Sequence, residues 1–166
     1  MKKPNIILIG MPACGKSTVG VILAKTLNKA FVDTDITMQQ QEGMTLQEII
    51  NTRGLEAFAQ VEERVLCDFA ETNCVVAPGG SAVYYPAAME HLKQQGTVIY
   101  LQVSLDTVLS RLSNIKTRGV TLKKGQTLAD LYAYRVPLYE SYADITICGD
   151  FRTVEEVVEE IVKRYS

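Results

Sequence analysis

The chain contains one histidine (His91), four cysteines and only a slight excess of acidic over basic residues, and each shortage removes a class of function. A single histidine cannot furnish a histidine-rich metal centre. The four cysteines, Cys14, Cys67, Cys74 and Cys148, are scattered without a C-x-x-C pair, which argues against a zinc ribbon and for reduced thiols in a cytoplasmic protein. A net charge of −2 and a pI of about 5.5 leave no basic footprint, so no nucleic-acid partner is expected. Membrane partners are not expected either, because no apolar run approaches the roughly 18 residues that span a bilayer. The opening Met1-Lys2-Lys3-Pro4 leads straight into a strand the fold must keep, so it does not read as a cleaved leader. Internal repeats, low-complexity tracts and linkers are missing too. The 166 residues are expected to form a single domain, 1–166, and a monomer.

What is present begins at residue 10. Gly10-Met11-Pro12-Ala13-Cys14-Gly15-Lys16-Ser17-Thr18 fits G-x-x-x-x-G-K-[ST]. Ile6-Ile7-Leu8-Ile9 upstream reads as a buried parallel strand, and Val19, Ile22, Leu23 and Leu27 downstream recur at helical spacing. Strand, glycine loop and helix give the context in which the motif is a phosphate cradle: loop N–H groups and the helix N-terminus face phosphate oxygens. Lys16 reaches the β- and γ-phosphates and the Ser17 hydroxyl is placed for Mg²⁺. Cys14, at a helix N-terminus beside Lys16, has two readings: an activated thiol or a small residue filling the loop.

Further along, Ala30-Phe31-Val32 is a short apolar run ending in Asp33-Thr34-Asp35. Helical segments are expected over 36–53 and 55–72 with breaks at Gly43 and Gly54, and a strand over Cys74–Ala77 ends in Pro78-Gly79-Gly80. Pro86 opens a helix that stops at Gly96. A strand at Thr97–Leu101, a helix bearing Leu105, Val108, Leu109 and Leu112, a helix over 128–142 interrupted at Pro137, and a strand at Ile145–Ile147 follow. Val154, Val157, Val158, Ile161 and Val162 give an amphipathic last helix. Apolar strands alternating with helices predict a three-layer α/β/α fold with a five-stranded parallel sheet. Ligands bind beyond the carboxyl ends of such strands, where all the motifs above lie.

Periodicity vanishes over 113–127, where Arg118, Gly119, Lys123, Lys124 and Gly125 suggest a mobile cationic lid. The phosphate loop, a compact acidic pair, this lid and the lack of an N-K-x-D-like element favour a small-molecule kinase over a switch GTPase. Phosphoryl transfer needs metal, charge neutralisation and exclusion of water.

Together these residues resemble the shikimate kinase family along nearly the whole chain. The likeness is carried by the phosphate loop, Asp33-Thr34-Asp35, Gly79-Gly80, Arg118 and Arg135-Val136-Pro137-Leu138-Tyr139. The resemblance implies a P-loop kinase-type fold and ATP-dependent, Mg²⁺-dependent phosphorylation of one ring hydroxyl of shikimate. It implies catalytic roles for Lys16, Asp35 and Arg118, with Asp35 orienting the acceptor hydroxyl as candidate base. ATP would be held by Gly10, Ala13, Cys14, Gly15, Lys16, Ser17, Thr18 and Arg111. Asp35, Gly79, Gly80 and Arg135 would hold the small-molecule substrate, and Ser17 with Asp33 the metal. Each role suits its residue: a carboxylate can take a proton late in transfer, and an arginine fork matches a planar carboxylate. The competing readings are N-capping for Asp33 and Asp35, a surface pair with Glu140 for Arg135, and an idle, solvent-facing ring for His91.

Three positions depart from the family pattern. Its Phe-Arg pair, whose arginine clamps the substrate carboxylate, reads Phe58-Ala59, although the bracing Glu62 is kept. Its Gly-Gly-Gly run reads Gly79-Gly80-Ser81, and its Arg-Pro-Leu reads Arg118-Gly119-Val120. An uncompensated loss of a charged clamp costs about 2–5 kcal/mol of binding. Two readings of the acceptor therefore stand: shikimate with a second clamp from elsewhere, Arg53 or a lid lysine, or a different small hydroxylated acceptor such as a polyol or hydroxy acid. A nucleotide-binding regulator without turnover is disfavoured by the intact Lys16, Ser17, Asp33, Asp35 and Arg118.

Overall fold

The structure is a computed structural model that describes residues 3–113 and 125–166. β1 (Asn5–Ile9) is buried at every position, as a strand covered on both faces requires. It lies at the centre of a five-stranded parallel sheet in the order β2 (Ala30–Asp33), β3 (Cys74–Ala77), β1, β4 (Gly96–Gln102), β5 (Ile145–Cys148). Ile6 is in register with Val75 on one side and Thr97 on the other. The buried Asn5 ties this centre together: its amide donates to the Glu71 carbonyl at 2.8 Å and accepts from the Cys74 N–H at 2.9 Å.

Helices cover both faces. α1 (Lys16–Thr26) and α7 (Val154–Tyr165) pack together, while α4 (Pro86–Gln95) packs on β1, β4 and α3 (Leu46–Cys67). α5 (Leu105–Ser113) and α6 (Leu128–Tyr142) complete the shell, and Val108, Leu131 and Tyr139 join the main core. α2 (Thr34–Glu42) and α3 form a smaller cluster of their own around Met38, Ile49, Phe58, Val61 and Val65. Two helix starts are closed by capping boxes, Thr127 with Asp130 and Thr153 with Glu156.

Several boundaries differ from the sequence expectation, each for a local reason. α2 begins at Thr34 rather than 36, because the Asp33 carboxylate caps it by accepting from the Asp35 N–H at 2.9 Å. The break before α3 is at Gly43, whose left-handed conformation (φ 67) ends α2, whereas Gly54 only kinks α3. α3 also stops at Cys67, short of 72. Pro137 does not interrupt α6: it lies on the exposed face, where water can satisfy the carbonyl one turn back. His91 is not solvent-facing but half-buried, with its ring bonded to the Phe69 carbonyl at 2.7 Å.

Candidate active site

β1 lies between β3 and β4, so the chain changes direction across the sheet there and a crevice opens at the strands' carboxyl ends. Three loops meet in it: the phosphate loop after β1, the Asp33 turn after β2 and the glycine turn after β3. One cavity of about 370 Å³ is lined by Lys16, Ser17, Asp33, Asp35, Gly79, Gly80 and Arg135 among others. A second, of about 360 Å³, is lined by Ala13, Cys14, Gly15, Thr18 and Arg111. The sequence-predicted residues are thus divided between two cavities on either side of the same loop. Gly10 faces neither cavity. A Cβ there would come within 2.8 Å of both Cys14 Sγ and the Leu101 carbonyl, so its bareness is a packing requirement. Arg118, with the rest of 114–124, lies outside the described residues.

Gly15 precedes α1 at φ 97, a left-handed turn that aims the first N–H groups of the helix into the loop. Lys16 Nζ donates back to the Gly10 carbonyl at 2.8 Å and the Met11 carbonyl at 3.1 Å, which holds the ammonium over the loop mouth. Cys14 is buried and faces Gly10, the arrangement of a filler rather than an exposed thiol. Arg111 reaches from α5 to donate to the Ala13 carbonyl at 2.9 Å, bracing the loop from the far side.

Asp35 sits in the first turn of α2. Burial raises its pKa from 3.8 to about 6, with further increments from Asp33 and Glu62 and an opposing pull from Lys16. Glu62, on α3, is buried and also shifted upward, by loss of hydration; hydrogen bonds from Ser81 and Tyr85 and the charge of Arg135 oppose that shift. Arg135 is only 3% exposed, so it is no surface partner of Glu140. Its Nε donates to Tyr84 Oη at 2.9 Å, and its guanidinium lies over the Tyr84 ring, 5.0 Å from the centroid. Tyr139 Oη donates to the Gly80 carbonyl at 2.7 Å, fixing the glycine turn beneath it.

A third cavity, of about 500 Å³, shares Phe58, Glu62, Ser81 and Arg135 with the first and extends past Ala59 to Tyr84, Tyr85 and Tyr134. Ala59 therefore borders a cavity that it shares with Glu62, Ser81 and Arg135. Arg53 does not substitute for the missing guanidinium, because it pairs with Glu42 at 2.9 Å, as Arg64 does at 2.7 Å. Sequence reasoning missed Tyr84, Tyr85 and Arg152. Arg152 lines the far-side cavity from the turn before α7; its only sequence signal was a cation beside a strand end.

Among the described residues there is no cluster of three or more acidic, histidine or cysteine side chains able to hold a metal. Ser17 and Asp33 nevertheless line one cavity with Lys16, and a hydroxyl plus a carboxylate fits Mg²⁺, which takes few protein ligands and completes its shell with phosphate oxygens and water.

A parallel sheet in this order, a phosphate loop on its central strand and an acid–guanidinium pocket beside it define the class of P-loop small-molecule kinases. Comparison with known proteins narrows this. A family model described as shikimate kinase matches residues 12–166. A shikimate kinase of Pseudomonas aeruginosa (strain LESB58) is 36% identical over 163 residues, covering 96% of this chain and 95% of that protein. A solved shikimate kinase from Acinetobacter baumannii in complex with shikimate superposes with a TM-score of 0.90 at 32% identity, covering 98% of this chain and 92% of that one. The enzyme of Aquifex aeolicus gives 0.83, also at 32% identity, over 96% of this chain and 94% of its own. The chain belongs to the shikimate kinase family.

Proposed function

We propose that the protein transfers the γ-phosphoryl group of ATP to a ring hydroxyl of shikimate, giving shikimate 3-phosphate, and that it acts as a monomeric cytoplasmic enzyme built as one unit over 1–166. One observation carries the acceptor assignment. Arg135 is buried, shares a cavity with Lys16 and Asp35, and forms no ion pair with an acid among the described residues. A buried guanidinium without a carboxylate is costly by itself. Its natural complement is a carboxylate brought by the ligand, and its fork favours a planar one.

In this reading Lys16 exchanges its loop carbonyls for β- and γ-phosphate oxygens and stabilises the charge that develops as the phosphoryl group leaves. Asp35 accepts a hydrogen bond from the acceptor hydroxyl. With its pKa near 6 it is ionised at neutral pH yet basic enough to take the proton late in transfer. Gly79 and Gly80 keep side chains out of the acceptor's way, and Arg135 fixes the far end of the ring. Ser17 and Asp33 would hold Mg²⁺, which neutralises phosphate charge when bound. Gly15, Thr18 and Arg111 face the nucleotide, and Arg118 carries over from the family's pattern.

A second reading, a different hydroxylated acceptor, is favoured by the roomy cavity beyond Ala59. Acceptor-dependent ADP release with shikimate, quinate and a panel of polyols and hydroxy acids separates the two. Shikimate should give the highest kcat/KM; a tenfold preference for another compound would replace the assignment.

A further inference from the structure

The turn Gly79–Tyr85 places three hydroxyls around two buried charges that come from different helices. Glu62, on α3, is 2% exposed and Arg135, on α6, 3%. Ser81 Oγ at 2.6 Å and Tyr85 Oη at 2.8 Å both donate to Glu62 Oε1. Tyr84 Oη accepts from Arg135 Nε at 2.9 Å while its ring underlies the guanidinium. Glu62 and Arg135 line the same two cavities, yet they do not pair within 4.0 Å. Opposite charges attract strongly where water is excluded. A restraint must therefore hold them apart, and the three hydroxyls are in position to supply it.

We propose that Ser81, Tyr84 and Tyr85 are positioning residues that keep Glu62 and Arg135 from closing into an ion pair, leaving the Arg135 guanidinium open to the carboxylate of the acceptor. The inference rests on the reading that the acceptor carries a carboxylate. It accounts for a chain that has alanine at 59: a single cation suffices when it is not already neutralised by the acid beside it. If Glu62 were freed, substrate would have to break an internal pair before binding. That cost falls on the ground state and the transition state alike, so it appears in KM and not in kcat.

The test uses the full chain carrying Ser81→Gly and Tyr85→Phe together. The KM for shikimate should rise at least about tenfold, with kcat and the KM for ATP within about twofold of native. Adding Glu62→Gln to that variant should bring the KM for shikimate most of the way back, because a neutral amide cannot capture the guanidinium. Hydroxyls that merely satisfy a buried acid would give no such rescue. Tyr84→Phe, which frees the Arg135 end instead, should raise KM in the same way and respond to the same rescue, should the paired change impair folding. A crystal structure of the double variant should place a Glu62 oxygen within ion-pair distance of Arg135. An unchanged KM, a raised KM that Glu62→Gln leaves raised, or a crystal structure with the two side chains still apart would overturn the proposal. Native protein inactive on shikimate would refute the functional reading alone, and the crystal structure would still decide the brace.

Discussion

Glu62 and Asp35 converge on one side of Gly79: a Cβ built there would lie 3.0 Å from Glu62 Oε2 and 3.2 Å from Asp35 Oδ1. Two carboxylates from α2 and α3 so close together cannot both ionise at their ordinary values. Burial is the larger reason that Asp35 is held up to about 6, and the charges of Asp33 and Glu62 add to it.

The first prediction is the acid limb of the rate profile. If Asp35 must be ionised to act, kcat/KM for the acceptor should be level above neutrality and fall tenfold per pH unit well below 6. Glu62→Gln removes one of the like charges, so the limb should move to lower pH without reaching the value of a free aspartate, because burial remains. A limb that Glu62→Gln leaves in place would mean that the two carboxylates do not communicate.

The same shift has a consequence for stability, with a sign opposite to that of a salt-bridged acid. The folded state raises the Asp35 pKa from 3.8 to about 6, so between those values it binds more protons than the unfolded chain. Stability therefore rises as pH falls through this window, and above it the ionised side chain is a net cost. Discounted for partial exposure, that cost is about 1–3 kcal/mol. Asp35→Asn should thus unfold at higher urea than native protein at pH 7.5, with the gain shrinking towards pH 4, while turnover collapses. A variant destabilised at pH 7.5 would contradict the burial argument.

Much of this was legible in the chain. Ile6–Ile9 could only be a covered strand, and the loop after it required a helix, so the centre of the sheet and the strand–loop–helix unit followed from adjacent residues. The pocket around Glu62 and Arg135 was legible only in part, because its contacts join residues far apart in sequence. Glu62 meets Ser81 and Tyr85 across the α3–β3 connection, and Arg135 meets Tyr84 fifty-one positions away. No periodicity encodes such meetings. The capping role of Asp33 and its place at the cavity were weighed as rivals, yet one side chain does the first while lining the second.

On the nucleotide side, Lys16→Ala should lower kcat by several orders of magnitude with the fold intact, since its bonds are to loop carbonyls and its proposed work is electrostatic. Arg111→Ala should instead raise the KM for ATP about three- to tenfold and leave the KM for the acceptor alone, because its hydrogen bond braces Ala13 on the far side of the loop. Equal losses for both substrates in the Arg111 variant would show that the division into two sides is wrong.

The most discriminating prediction concerns Ala59. It lines the cavity shared with Glu62, Ser81 and Arg135, so an arginine introduced there by Ala59→Arg would enter the acceptor side. Glu62 Oε1 is already taken by two hydroxyls, but among the described residues no hydrogen bond occupies Oε2, which can orient the new guanidinium. Two cations would then meet one carboxylate. The KM for shikimate should fall about tenfold or more with kcat little changed, because the carboxylate is bound equally before and during transfer. Were the natural acceptor a different compound, the added side chain would occupy space which that compound needs, and activity on it should drop. Measuring both substrates with both proteins distinguishes these outcomes. Shikimate kinetics unaltered by Ala59→Arg would mean that residue 59 does not face the acceptor, and the matching of Phe58-Ala59 to the family's Phe-Arg pair would have to be given up.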